Sequence, residues 1–160
     1  MAYHDDLLRH AIFLSDLNPN LPDEEKQADL RRAVSAAYYA VFHLLTAEAA
    51  QNWKHERQRN RFARMFEHGR MKSCSEKVSS RSLPADPAEI LVAKDLKFVA
   101  DSFVRLQAAR HIADYDNSRV WSRAEVWEMM AVAEAAMNIW MAVREQEIAQ
   151  DYLFDLMGSK

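Results

Sequence analysis

The chain has 160 residues, nearly half of them apolar, with two glycines, one cysteine and a net charge of −3. That length suits one domain with a real core, and too few turn glycines remain for a β-rich fold. The single cysteine, Cys74, excludes an internal disulfide framework and any CxxC metal site. An acidic total argues against a protein basic over its whole surface.

Tyr3 to Leu17 reads as a first helix, with Leu7, Leu8, Ala11, Ile12 and Leu14 spaced for one apolar face. Asn18-Pro19-Asn20-Leu21-Pro22 ends it, because proline lacks the amide hydrogen and disfavours helix in the residue before it. Asp23, Glu24 and Glu25 favour the start of a second helix running to about Gln51. Leu30, Ala33, Val34, Ala37, Val41 and Leu44 give it one apolar side, and the flanking stripes are largely apolar or aromatic too. A helix apolar nearly all round belongs in the centre of a bundle or at a subunit interface.

A third helix is expected from Asn52 to about Met71. Between Lys54 and Lys72 the chain carries seven cations against two acids, a local excess of five positive charges. Either this is a solvated face or it is an electrostatic footprint for phosphate backbones, with Arg57, Arg61, Arg64, His68 and Arg70 as its contacts. Gly69 reads as a helix stop, or as a place where a ligand approaches the backbone. Ser73 to Pro87, rich in Ser, Lys, Arg and Pro, is the expected mobile loop (about 73–87) within a single domain spanning 1–160.

Asp86-Pro87-Ala88-Glu89 opens a fourth helix with proline in its first turn. Phe98, Val99, Ser102, Leu106, Ala109 and Ala113 line its core face. Asp116-Asn117-Ser118 is a turn signal. Ser122 with Glu125 three residues on is a capping box for a fifth helix from Arg123 to about Gln150, with Val126, Trp127, Met130, Ala133, Met137, Trp140 and Val143 on its apolar face. The ending DYLFDLMGSK fits a short helix or a tail. The reading is all-α: an antiparallel four-helix bundle with an additional N-terminal helix. No apolar run is long enough to span a bilayer, and no apolar leader opens the chain, so a cytoplasmic protein is expected.

The chemistry-bearing residues concentrate in Arg105–Asp116, RLQAARHIADYD. On a straight helix Gln107, His111 and Asp114 share a polar face bordered by Arg110, and Arg110 with Asp114 makes an ion pair four residues apart. Histidine exchanges a proton near neutral pH, and arginine holds developing phosphorane charge by paired hydrogen bonds. The structural alternative is an ion pair beside a capped helix end. None of the six histidines forms a metal-ligand pattern, and the two glycines build no phosphate loop. No metal or other cofactor is therefore expected.

RRAVSAAYYAVFHLL in the second helix, FEHGRMKSC and QAARHIADYD together resemble the HEPN-domain family of small all-helical proteins from toxin–antitoxin and defence systems. The resemblance spans about Ala28 to Val143. It implies a helical bundle that homodimerises. Active members are metal-independent ribonucleases carrying an arginine, four to six residues, then a histidine, which Arg105 and His111 match. The resemblance casts His111 as the group that helps activate a ribose 2′-OH, with Arg105 or Arg110 as phosphate clamp. Other members bind without cleaving, or partner a minimal nucleotidyltransferase as its antitoxin. Leu106 stands where nucleases often carry a polar residue, and Ala113 where toxin variants carry tyrosine. The expectation is an RNA-cleaving or RNA-binding protein; the alternative is a non-catalytic module that binds a nucleotide or a partner protein, with Arg31, Tyr38 and Asp114 tied together in its core.

Overall fold

A computed structural model of the chain describes residues 2–158. Among them are seven α-helices and no strand: α1 (Tyr3–Asp16), α2 (Gln27–Gln51), α3 (Glu56–Ala63), α4 (His68–Ser80), α5 (Pro87–Tyr115), α6 (Arg123–Val143) and α7 (Glu147–Leu156), with a 3-10 turn at Asp23–Lys26 before α2. None of these helices is long and apolar enough to cross a membrane. The chain forms two compact units, one of Met1–His43 with Arg105–Ala135, the other of Leu44–Val104 with Ala136–Lys160.

In the first unit α1 is a surface helix. Of the expected apolar face Ala11 is buried, Leu7, Leu8 and Leu14 are half-buried and Ile12 is exposed, while Phe13, outside that face, is 60% exposed. Asn18 takes the left-handed conformation after it (φ 52), which asparagine tolerates better than most residues. The acidic run Asp23–Glu25 opens the 3-10 turn, and α2 begins only at Gln27. The buried Lys26 ammonium donates to the Ser15 carbonyl at 3.2 Å. It places a cation at the negative end of α1, whose last turn has no basic residue of its own.

Gln27 holds the approach to α6. Its amide donates to the Trp121 carbonyl at 2.7 Å and accepts from the Trp121 amide at 2.9 Å. The expected capping box is present: Ser122 Oγ accepts from the Glu125 amide at 3.2 Å, and Glu125 Oε2 accepts from the Ser122 amide at 2.9 Å. The Ser122 amide and hydroxyl both donate to Glu125 Oε2, each at 2.9 Å, and with Arg119 adding to them they lower the Glu125 carboxyl.

The second unit differs from the sequence reading in three places. The single expected helix 52–71 is two, α3 and α4, separated around Arg64–Glu67. α3 buries no residue, so nothing beyond local propensity extends it. Phe66 turns inward there, 7% exposed, with its ring 5.6 Å from that of Phe62. Gly69 is accordingly in the first turn of α4 and stops no helix.

Second, Ser73–Ser80 of the expected loop are helical. Met71, Cys74, Ser75 and Val78 recur at helical spacing and are all buried, a stripe hidden by the serine-rich composition around it. The Tyr152 hydroxyl joins Ser75 Oγ at 2.7 Å, while Ser75 donates to the Met71 carbonyl at 2.7 Å. That bond fixes α7 to α4, and burial pushes the Tyr152 phenol up.

Third, the expected fifth helix breaks after Val143, and residues of the ending form α7. Gln150 caps the break by donating to the Arg144 carbonyl at 2.6 Å. The buried Glu48 carboxylate takes the Trp140 indole N–H at 3.1 Å and Arg144 Nε at 3.2 Å, so its charge is paired where burial alone is costly. Two residues assigned to core faces point outward, Phe98 at 40% and Trp127 at 45% exposure.

Candidate functional site

α5 runs unbroken through Arg105 to Tyr115, so the geometry of its polar residues follows from helical pitch. Arg105 and His111 are about 120° apart around the axis and ~9 Å apart along it. Arg105 turns to α6, where it pairs with the Glu128 carboxylate. His111 is exposed, its ring centroid 4.9 Å from that of Tyr115. The arginine and histidine of the spaced motif therefore have separate surroundings within this chain.

Arg110 is the arginine that shares the neighbourhood of His111. Its guanidinium lies 5.8 Å from the Tyr115 ring centroid and 5.5 Å from that of Tyr39. Nη2 donates to the Tyr39 hydroxyl at 3.1 Å, and Nε lies 2.7 Å from Asp114 Oδ2. Asp114 Oδ1 in turn accepts from Ser35 Oγ at 2.6 Å. The ion pair read from the sequence thus exists, and residues from α2 hold it. The aromatic series continues past Tyr39 to His43, with centroids 6.1 Å apart, and from His43 to Tyr3, at 4.8 Å edge to face.

The C-terminal end of α5 is closed by Arg31 from α2. Nη1 donates to the carbonyls of Ala113 and Asp116, each at 2.9 Å, and Nη2 to that of Arg119 at 2.5 Å. A planar cation with several fixed donors suits carbonyls that a helix end leaves without partners. Asp116 completes the turn, accepting from the Ser118 hydroxyl at 2.6 Å and amide at 3.0 Å. These bonds lower its carboxyl below the ordinary range. Arg31 thus bonds backbone carbonyls. Tyr38 is fully buried; burial raises its phenol and the charge of Arg110 opposes that rise.

Gln107 is half-buried on α5. Ser35, Tyr39 and Tyr115 are the site residues that sequence reasoning did not select. The remaining candidates belong to the second unit. Arg57, Arg61 and Arg64 are exposed on and just after α3, and His68 is half-buried at the start of α4. Arg70 is exposed and pairs with Glu67 at 3.1 Å. Among the described residues no group of three His, Cys, Asp or Glu side chains is placed to hold a metal ion.

No family model, curated protein or solved structure matches the chain. The fold class is all-helical.

Proposed function

We propose that the chain is a HEPN-like RNA-binding protein whose site is the exposed end of α5, with Arg110, His111 and Tyr115 as its working residues. The observation that supports this reading most is the approach of His111 and Arg110 to one exposed aromatic ring, that of Tyr115. Tyr115 offers a face on which an unpaired base stacks. Arg110, held by Asp114 and Tyr39, presents positive charge at a fixed place, and His111 exchanges a proton with a ribose hydroxyl.

In this reading the chain is an antiparallel four-helix bundle with an added N-terminal helix, homodimeric and cytoplasmic. Two copies supply two histidines to one phosphodiester, which makes metal-independent cleavage feasible: one histidine removes the 2′-OH proton and the other protonates the leaving 5′ oxygen. Arg105, occupied by Glu128, serves the phosphate only by exchanging that partner. In the second unit, Arg57, Arg61, Arg64, His68 and Arg70 are the proposed contacts to RNA backbone phosphates. Replacing Arg57, Arg61 and Arg64 with glutamine should flatten the dependence of log affinity on log salt by about 0.7 per lost single-strand phosphate contact. An unchanged slope removes them from the interface.

A second reading, a non-catalytic module for a nucleotide or a protein such as a nucleotidyltransferase-like partner, has its own support. Both motif-region arginines already have carboxylate partners, Arg105 in Glu128 and Arg110 in Asp114. Under that reading Tyr115→Ala and His111→Ala weaken binding, with no cleavage to lose.

A further inference from the structure

The second unit carries a cleft of which the reading above uses only Arg70. It encloses about 570 Å³ between the exposed side of α4 and the end of α7, within the size range of small-ligand sites. Arg70, Lys77 and Arg81 line it against a single carboxylate, Asp155. Lys77 and Arg81 are four residues apart, so their stems lie about 6 Å apart along the α4 direction, with Arg70 ~10 Å beyond Lys77. Arg81 approaches Asp155 only to 3.7 Å and its side chain is 61% exposed, so a stronger acceptor can draw it away.

The wall between the cations is shaped for an organic body. Cys74 lines the cleft, and burial keeps its thiol neutral by pushing it up to about 11. Gly69 also lines it, and a Cβ added there meets nothing within 4 Å. Beside it, Gly158 takes φ +94, and a Cβ on it would stand 3.3 Å from the side chain of Arg70, the residue after Gly69. Chain and arginine therefore close together on that side.

We propose that this cleft binds a phosphomonoester of nucleotide size, with Lys77 and Arg81 gripping the phosphate and the organic body lying along Cys74 toward Gly69. Lys77 and Arg81 set two cations against the single lining carboxylate, Asp155, and a phosphate takes paired hydrogen bonds from arginine. The site shares none of the α5 residues and, of the cations assigned to RNA, only Arg70; variants at Lys77 and Arg81 leave Arg70 intact, so they test this cleft and not the RNA reading.

Titration of the full chain with adenosine 5′-monophosphate, adenosine and inorganic phosphate, followed by calorimetry, tests it. Adenosine 5′-monophosphate should saturate the protein and adenosine should not. Lys77→Gln with Arg81→Gln should weaken the nucleotide at least about tenfold, as loss of one charge-assisted contact implies. Gly69→Leu should cost the nucleotide its binding while inorganic phosphate binds as before. Circular dichroism checks that the variants fold. A 5′-phosphorylated dinucleotide binding more tightly than the mononucleotide identifies a strand end as the source; the reverse order identifies a free nucleotide. Equal binding of adenosine and its monophosphate, undiminished binding by the folded double variant, or no saturation by about 10 mM nucleotide overturns the proposal.

Discussion

Arg110 Nε lies 2.7 Å from Asp114 Oδ2, one turn further along α5, and the pair is anchored through Ser35, which donates to the other carboxylate oxygen. Both side chains of the pair are about four-fifths covered, so solvent replaces little of what either partner loses. Asp114→Ala removes the Ser35 hydrogen bond to a charged carboxylate and should therefore destabilise the fold by about 1.5–3 kcal/mol, the range for such bonds. Asp114→Asn, which keeps an acceptor for Ser35, should cost less. Urea unfolding checks both; equal stability of Asp114→Ala and the wild type would mean the pair is solvated.

Arg31 should resist conservative replacement. Its guanidinium meets the carbonyls of Ala113 in the last turn of α5 and of Asp116 and Arg119 beyond it, and a lysine ammonium cannot reproduce that planar fork. Arg31→Lys and Arg31→Ala should both lose about 1.5–3 kcal/mol, read from thermal unfolding. Full rescue by lysine would show that charge alone closes the helix.

How much of this was legible depended on whether partners were near in sequence. The Arg110–Asp114 pair and the Ser122–Glu125 box follow from spacings of four and three residues, and both are present. Ser35 and Tyr39, which complete the Arg110 network, lie 79 and 71 residues from their partners. No periodicity in one chain assigns such pairs. α4 was hidden for a different reason: polar serines and lysines surround its buried stripe, so composition suggested a loop where Met71, Cys74, Ser75 and Val78 mark a helix. Arg105 shows the converse. Its spacing from His111 was visible, but the carboxylate that occupies it sits on α6.

Cys74 should react slowly with alkylating agents at neutral pH. Burial first, and the negative charge of Asp155 second, raise its thiol from 9.0 to about 11, and only the thiolate is nucleophilic. The alkylation rate of folded protein should keep rising through about pH 11, whereas urea-unfolded chain should level off near the ordinary thiol value. Between those two values the unfolded chain releases a proton that the folded chain retains, so this group's contribution to stability falls as pH rises through that window. Coincident rate profiles for folded and unfolded protein would contradict the shift.

The central claim is that His111 acts on a phosphodiester at the exposed end of α5. The most direct measurement follows cleavage of a short single-stranded RNA in excess chelator, with end-group analysis of the products. The account predicts 2′,3′-cyclic phosphate ends and at least a ~100-fold loss of rate in His111→Ala, the lower bound for removing a general acid–base group. No cleavage by the wild type, or an unchanged rate in folded His111→Ala, would contradict it.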